Sequence, residues 1–425
     1  MGHEGRRRGW RLPVVLVGLG LPVALLLSLP VGRRQHVGDD FHVFWQAGRN
    51  FATGHPLYHD SIPGARPLKY PPFAAMVFTP LALFSLPAAG VLMSLVNLGL
   101  WVVAVWLTRG ILMRTGPPNR VGLAIILGLI LSAQYFLDNF HHVQMNEVTF
   151  VLALLGIKAH LDGHDLRAAA ALVVAAAIKI TPIFFLAWLV IRGRRKAALA
   201  VVPLAIACVV GPMVLRGPSR GADELREYYH VFLEKHQHGE VESYTAGQNL
   251  AALVSRMTVA PEGTGGVSYR WAPATERTAQ LVYRGLWGAV LLGFLGRLAW
   301  LRLRQAPLNA AEPAMVFAAG LLLSPITFTT HLVPLLYIFA AALVVRPWRL
   351  GPAARALAAL VGAGMLVCGM SGRDLVGGEV YRAVGGYSIC AWILLALFVV
   401  TLVRSGRPIW ESPVERQGGT RVIPS

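Results

Sequence analysis

Apolar runs long enough to cross a lipid bilayer recur along this chain from Leu12 to Arg404. The hydrocarbon core of a bilayer is about 30 Å thick, and a helix needs roughly 20 apolar residues to span it. Because 55% of the 425 residues are hydrophobic and the mean hydropathy is +0.55, the runs leave no room for a separate soluble domain. The sequence therefore predicts an all-α membrane protein that crosses the bilayer many times.

The first apolar run, Leu12–Val31, follows a cluster of arginines in the tail 1–11. It is longer than the apolar region of a signal peptide, and no pair of small residues marks a cleavage site after it. We therefore expect this run to be the first membrane span.

Basic residues divide the loops into two sets. A net charge of +18 would suggest nucleic acid as the partner of a soluble protein, but membrane proteins collect Lys and Arg in their cytoplasmic loops. One set holds 23 basic and 6 acidic residues and comprises the N-terminal tail, 109–120, 158–167, 192–196, 297–312, 346–355 and the C-terminal tail 405–425 with Arg404. The other set holds 15 of each and comprises 32–70, 138–147, 216–284 and 371–383. We expect both termini in the cytoplasm, the second set outside, and a lipid bilayer rather than nucleic acid as partner.

Prolines predict two broken apolar segments. Residues 168–191 lie between basic turns but contain Lys179 and Pro182, which favours two short helices folded back at 178–182. The segment 73–107 contains Pro80 and Pro87, which favours a short re-entrant or interfacial piece followed by a span. In the long loop 216–284, the charged stretch 222–235 is predicted to be helical.

Asp39 and Asp40 follow the first span directly, next to His42 and two aromatic residues. Transfer of a sugar from a phosphate-linked donor needs a carboxylate to deprotonate the acceptor hydroxyl, and cations to hold the leaving phosphate. The alternative interpretation is a solvated turn in which Asp39 caps a short amphipathic helix. The three cysteines lie in or beside apolar runs, and the histidine pairs at 141–142 and 236–238 have no third ligand at a recognisable spacing, so we expect no metal and no cofactor.

Several motifs in sequence order resemble glycosyltransferase family 87, the polyprenol-phosphate-mannose-dependent mannosyltransferases of the GT-C superfamily. In the first loop they are Asp40-Phe41-His42-Val43-Phe44, Gly54-His55-Pro56-Leu57-Tyr58 and Tyr70-Pro71-Pro72. Further along they are Gln144-Met145-Asn146, Lys179-Ile180-Thr181-Pro182, Gln248-Asn249 with Arg256, and Ser324-Pro325-Ile326-Thr327-Phe328-Thr329-Thr330-His331. The chain departs from the family pattern at Val143, where the family has glycine, and at Phe328 and Thr330, where it has tryptophan and histidine.

The resemblance implies a GT-C fold over residues 12–404, with about 10 to 12 transmembrane helices including short broken or re-entrant ones, and loops 32–70 and 216–284 capping the site. It implies an inverting transferase in the plasma membrane that uses Asp40 as base outside the cytoplasm. The donor would be a hexose, with mannose favoured, on polyprenyl phosphate, and the acceptor a lipid-linked or polysaccharide component of the cell envelope. The residues implied in holding the donor are Lys179, His331, Arg256, Gln144, Asn146, Tyr70, Gln248, Asn249 and Asp39.

Ordinary alternatives remain for each candidate. Lys179 could reach the interface or pair with Glu147, since a charge at membrane depth costs about 2.5 to 3.5 kcal/mol. His331 could be a hydrogen-bonded core histidine, and Arg256 a surface residue. A transporter or flippase would also suit broken helices and a buried lysine, although it should show two related halves. A non-catalytic scaffold with the same fold is the third possibility.

Overall fold

The computed structural model describes residues 39–58, 68–234, 247–259, 270–344 and 352–406, together with Val31. Every regular element in these ranges is helical, which confirms the predicted all-α fold. The predicted first span, except for Val31, and nearly all of both tails lie outside the described residues.

The described helices follow one another with short connections. The first five are α1 (Asp40–Thr53), α2 (Pro72–Phe78, continued by the 3₁₀ turn Thr79–Leu83), α3 (Leu86–Thr115), α4 (Pro118–His141) and α5 (Asn146–Leu161). The next five are α6 (Asp165–Ile178), α7 (Ile183–Arg192), α8 (Arg195–Arg216), α9 (Pro218–Tyr228, continued by the π-helical turn Tyr229–Glu234) and α10 (Leu250–Thr258). The last six are α11 (Glu276–Leu303), α12 (Ala311–Leu323), α13 (Leu335–Val344), α14 (Pro352–Met370), α15 (Arg373–Gly386) and α16 (Ile389–Arg404).

Four of these helices, α3, α4, α8 and α11, are long and apolar enough to cross a membrane. The pair Leu375–Gly386 and Ile389–Arg404, bent by 54°, adds at most a fifth. On α8 the exposed side chains include Leu199, Val202 and Ile206, an apolar face that lipid can cover. The chain is therefore a multi-pass membrane protein, while the expected 10 to 12 crossings stay a prediction.

Both predicted breaks are confirmed. The segment from Phe73 to Leu107 divides at Phe84, where α2 and its 3₁₀ turn end, and Pro87 lies in the first turn of α3, as proline prefers. The second break separates α6 from α7 at 179–182. Arg194 lies 3.2 Å from Asp165, so this hairpin begins and ends at the same end of the bundle.

A second broken helix was not predicted. Helices α12 and α13 are 13 and 10 residues long and are separated by residues 324–334. Glu312, in the first turn of α12, contacts Arg192, and Val344, at the end of α13, lies against Gly116. The start of α12 and the end of α13 therefore lie at the same end of the bundle as the start of α6 and the end of α7.

The turns that the charge pattern assigns to the cytoplasm meet at one end of the bundle, which we call the basic end. Arg114 contacts Asp162, and the backbone N–H of Ala310 donates to Thr115 O at 3.2 Å. Asn309 donates to the carbonyl of Arg404 at 2.9 Å. The opposite end, which we call the site end, carries the motifs of the resemblance.

Glu312 forms a buried ion pair at the basic end. Its carboxylate accepts from Arg192 Nε and from Trp188 Nε1, both at 2.8 Å. We expect Glu312→Gln to lower the free energy of unfolding by about 3 to 5 kcal/mol, because Arg192 then stays buried without its counter-charge. Thermal unfolding of the purified protein in detergent measures this change. The exposed Glu379→Gln is the matched control, and an equal fall in both variants would contradict the assignment.

Helix α1, which carries Asp40, is held in three ways. Gly48 allows close approach to α2, since a Cβ there would lie 2.3 Å from Phe78 O. Gly54 ends the helix in the left-handed region at φ 78°. Arg216, at the end of α8, donates to the carbonyls of Asn50 at 2.8 Å and Phe51 at 3.0 Å. The start of α1 is thereby fixed relative to the bundle.

Candidate functional site

The two broken helices meet at a cavity of about 50 Å³. From the first break it is lined by Lys179, Thr181 and Pro182, from the second by Thr327, His331 and Pro334, and from the start of α5 by Asn146. The remaining lining is mainly apolar. A cavity of this size with a few polar groups in its wall accommodates several waters or a small polar group.

Helices α7 and α13 begin at this cavity, directly after Pro182 and Pro334. The first N–H groups of a helix have no partner within the helix, and the helix dipole makes this end partly positive. Two helix starts and one lysine at one cavity favour a negatively charged guest.

Lys179 is oriented by a network of amide side chains. Its Nζ lies 2.5 Å from Asn146 Oδ1, and Asn146 Nδ2 donates to Asn139 Oδ1 at 2.8 Å and to Thr330 O at 2.9 Å. The alternative pairing with Glu147 is not observed among the described residues, because Glu147 accepts from Asn139. Lys179 therefore faces the cavity and is not directed toward lipid.

His331 is hydrogen-bonded, as the interpretation of a core histidine expects, and it also lines the cavity. Its Nδ1 lies 3.2 Å from the backbone nitrogen of Phe328, a group that can only donate, and 3.3 Å from Ile326 O. Accepting the Phe328 N–H leaves the ring proton of a neutral imidazole on Nε2. His331 can then donate to a guest without carrying a charge.

Asp40 is the first residue of α1, and its Oδ2 accepts from Gln144 Nε2 at 2.7 Å. Gln144 is buried, and its backbone carbonyl oxygen accepts a hydrogen bond from Asn97 Nδ2 at 2.8 Å. Asp39 occupies the N-cap position, as the alternative interpretation expects, but its side chain makes no capping hydrogen bond. The carboxylate of Asp40 is thus held by one defined amide donor.

The segment Gln144-Met145-Asn146 connects the two polar groups. Gln144 binds Asp40, and Asn146, two residues later, binds Lys179. Because consecutive Cα atoms are about 3.8 Å apart, positions two residues apart lie within about 7 Å. A carboxylate and a cation therefore face this short segment from two different parts of the fold.

Val143 has φ 47°, in the left-handed region that a β-branched residue rarely adopts, at the position where the family pattern has glycine. Its side chain is buried, so Val143→Gly and Val143→Ala both lose packing. We expect the glycine variant to be more stable than the alanine variant by about 1 kcal/mol, because only glycine avoids the backbone strain. Thermal unfolding of the two purified variants tests this order, and an equal or reversed order would show that the strain is absent.

Tyr70 lies beside Asp40. Burial, and then the charge of Asp40, raise the pKa of its phenol. Tyr58 donates to the carbonyl of Tyr70 at 2.8 Å, and the Tyr70 ring lies edge-on to Phe44 at 5.2 Å. Tyr58, the last residue of the motif that begins at Gly54, thus contacts Tyr70 directly.

Gln248 and Asn249 hold the second break in place. The N–H of Gln248 donates to Thr327 O at 2.6 Å, and Asn249 Nδ2 donates to Ser324 O at 2.8 Å while its Oδ1 caps α10. Arg256 is buried and donates to Ser388 Oγ at 2.7 Å, so the interpretation of Arg256 as a surface residue is wrong. It does not line the cavity with Lys179.

Three polar residues at the site end, of which His142 interacts electrostatically with Asp40, were not predicted as site residues. Asp138, in the last turn of α4, accepts from Thr329 and lies 3.3 Å from Nδ1 of His142. The adjacent histidines had been considered only as metal ligands. The described residues contain no group of three His, Cys, Asp or Glu side chains that could hold a metal, and a site without metal stays a prediction.

Comparison with known proteins gives two matches. The family model of glycosyltransferase family 87 matches residues 68–325, more than half of the chain. The chain is also similar to the polyprenol-phosphate-mannose-dependent alpha-(1-2)-phosphatidylinositol mannoside mannosyltransferase of Mycobacterium tuberculosis, with 26% identity over 389 residues, covering 85% of this chain and 83% of the relative. The matched range includes Gln144 and Lys179 and ends shortly before His331.

Proposed function

The chain belongs to glycosyltransferase family 87, and we propose that it transfers a hexose, with mannose favoured, from polyprenyl phosphate to a glycolipid or polysaccharide acceptor. The observation on which this proposal rests is that Gln144 binds Asp40 and that Asn146, two residues later, binds Lys179. A base for the acceptor hydroxyl and a cation for the leaving phosphate are the two groups that such a transfer needs.

In the proposed reaction Asp40 takes the proton of the acceptor hydroxyl while the hydroxyl oxygen attacks the anomeric carbon. The bond from that carbon to the phosphate oxygen breaks on the opposite face, so the anomeric configuration inverts. The hydrogen bond from Gln144 orients the Asp40 carboxylate, whose oxygens can each accept more than one hydrogen bond.

The donor phosphate is proposed to bind at the cavity between the two breaks. Lys179 supplies a positive charge, His331 supplies a neutral N–H donor, and the starts of α7 and α13 supply the partly positive ends of their helix dipoles. These groups act on charge that grows on the phosphate as the sugar leaves. No proton has to reach the leaving group, because a phosphate is already a weak base.

The sugar and the acceptor class are carried over from the related mycobacterial protein, whose name gives polyprenol-phosphate-mannose as donor and phosphatidylinositol mannoside as acceptor. The same resemblance supports a site outside the cytoplasm in the plasma membrane. We propose a mannoside as the acceptor end group.

The test is an assay of the purified protein with polyprenyl-phosphate mannose, glucose and arabinose, and with octyl α-mannoside as acceptor. We expect a disaccharide product with the mannose donor and inverted configuration at the new linkage. No product with any of the three donors and a panel of glycolipid and polysaccharide acceptors would overturn the proposal.

A transporter or flippase is the second candidate, because two broken helices meet at one cavity as they do in transporters. Family membership favours transfer. Movement of a lipid-linked sugar across proteoliposomes, without any glycosidic product, would favour the second candidate instead.

The proposed orientation can be tested by labelling. In a variant whose three cysteines are replaced by alanine, we expect Ser219→Cys, at the start of α9, to react with an impermeant thiol reagent in intact cells. Gln305→Cys, at the basic end, should react only after the cells are opened. Both positions are exposed, so the reverse pattern would place the site end in the cytoplasm.

A further inference from the structure

Asp138 is a second carboxylate at the site end that the proposed mechanism does not use. It comes from α4, whereas Asp40 comes from α1, and His142 lies in the electric field of both. Its side chain is 31% exposed, unlike Glu147, which is buried nearby. Asp138 is thus open to a molecule that approaches Asp40 from outside the bundle.

Two neighbours fix the position of Asp138. Thr329 Oγ1 donates to its Oδ2, and the ring of His142 lies 3.3 Å from its Oδ1. Hydrogen bonding to Asp138 raises the pKa of His142 to about 9, so the imidazole is charged at neutral pH. Each carboxylate oxygen can accept more than one hydrogen bond, so both oxygens retain acceptor capacity.

The same short loop connects this carboxylate to the donor cavity. Thr329 binds Asp138, the carbonyl of Thr330 binds Asn146, and His331 lines the cavity. Asp138 therefore has a fixed position relative to Lys179 and Asp40. Fixed carboxylates bind polar partners with little loss of side-chain freedom.

The charges around the opening favour a neutral, hydroxyl-rich partner. Asp40 and Asp138 are both acidic, the C-terminal end of α4 is partly negative, and His142 is a cation that interacts with both carboxylates. An anionic group placed there would meet net repulsion. The hydroxyls of a neutral sugar would instead donate to the carboxylates.

We propose that Asp138 binds a hydroxyl of the acceptor's terminal sugar and so positions the attacking hydroxyl against Asp40. This inference rests on the proposed function. It assigns Asp138 to acceptor recognition, while Lys179 and His331 act on the donor.

The experiment measures transfer from polyprenyl-phosphate mannose to octyl α-mannoside and to its monodeoxy analogues. We expect Asp138→Asn to raise the acceptor KM about tenfold to hundredfold, as the loss of a hydrogen bond to a charged group does, with the donor KM unchanged. The slow hydrolysis of the donor by water should proceed at the same rate in this variant as in the unaltered protein. One monodeoxy acceptor should be insensitive to Asp138→Asn, because it already lacks the bound hydroxyl.

Thr329→Val provides a second variant that keeps the carboxylate but removes its hydroxyl partner, and we expect a smaller rise in the acceptor KM. Asp162→Asn, at the basic end, is the control. An unchanged acceptor KM in Asp138→Asn, or an equal loss with every monodeoxy acceptor, overturns the inference. Absence of transfer by the unaltered protein would instead defeat the proposed function, so the two failures are distinguishable.

Discussion

Asp40→Asn is expected to lower kcat for sugar transfer by about 10²- to 10⁴-fold, the usual contribution of a general base. The amide has nearly the same shape as the carboxylate, and its oxygen can still accept the hydrogen bond from Gln144. Folding should therefore be preserved while the capacity to take a proton is lost. Transfer by the purified variant, compared with its yield and thermal stability, gives the measurement.

The donor KM of Asp40→Asn should change little, because the donor phosphate is assigned to the opposite side of the segment 144–146. Asp223→Asn, an exposed carboxylate on α9, is the matched control and should keep full activity. Undiminished transfer by the Asp40 variant would remove this residue from the mechanism. Binding of labelled donor without turnover would show that only the chemical step is lost.

Lys179→Met is expected to lower kcat by about 10²- to 10³-fold and to raise the donor KM, since it removes the charge that stabilises the leaving phosphate. Methionine keeps the apolar part of the side chain, so the cavity walls should stay packed. Asn146 would lose the partner at its Oδ1 but keep its hydrogen bonds to Asn139 and Thr330. Steady-state kinetics at varied donor concentration separates the two effects.

Lys158→Met is the control for this experiment, because Lys158 pairs with Asp162 at the basic end and should not affect transfer. If Lys179→Met has the same donor KM and kcat as the unaltered protein, the donor phosphate must bind elsewhere. Loss of the folded protein in Lys179→Met alone would indicate a structural lysine.

The sequence predicted the features that depend on local chemistry. Proline and a charged residue inside an apolar run predicted the break between α6 and α7, and the resemblance supplied Asp40, Gln144 and Asn146 in the right order. The burial of Arg256 could not be predicted, because it depends on a contact with Ser388, which lies in a distant part of the sequence. Local pattern carries no information about such a partner.

The break between α12 and α13 escaped prediction for a similar reason. The stretch around Ser324 is apolar on both sides, and only its motif indicated function. Asp138 and His142 were also not identified, since neither belongs to the family pattern and Thr329, the partner of Asp138, is about 190 positions away. A histidine four residues after an aspartate at a helix end gave only a weak signal.

Both hairpins return to the basic end, where Trp188, Arg192 and Glu312 fill the interior. The proposed reaction places the reactants and the released proton at the site end, so it needs no water-filled passage through the protein. An enzyme of this construction can work in an energised membrane without dissipating the ion gradient across it.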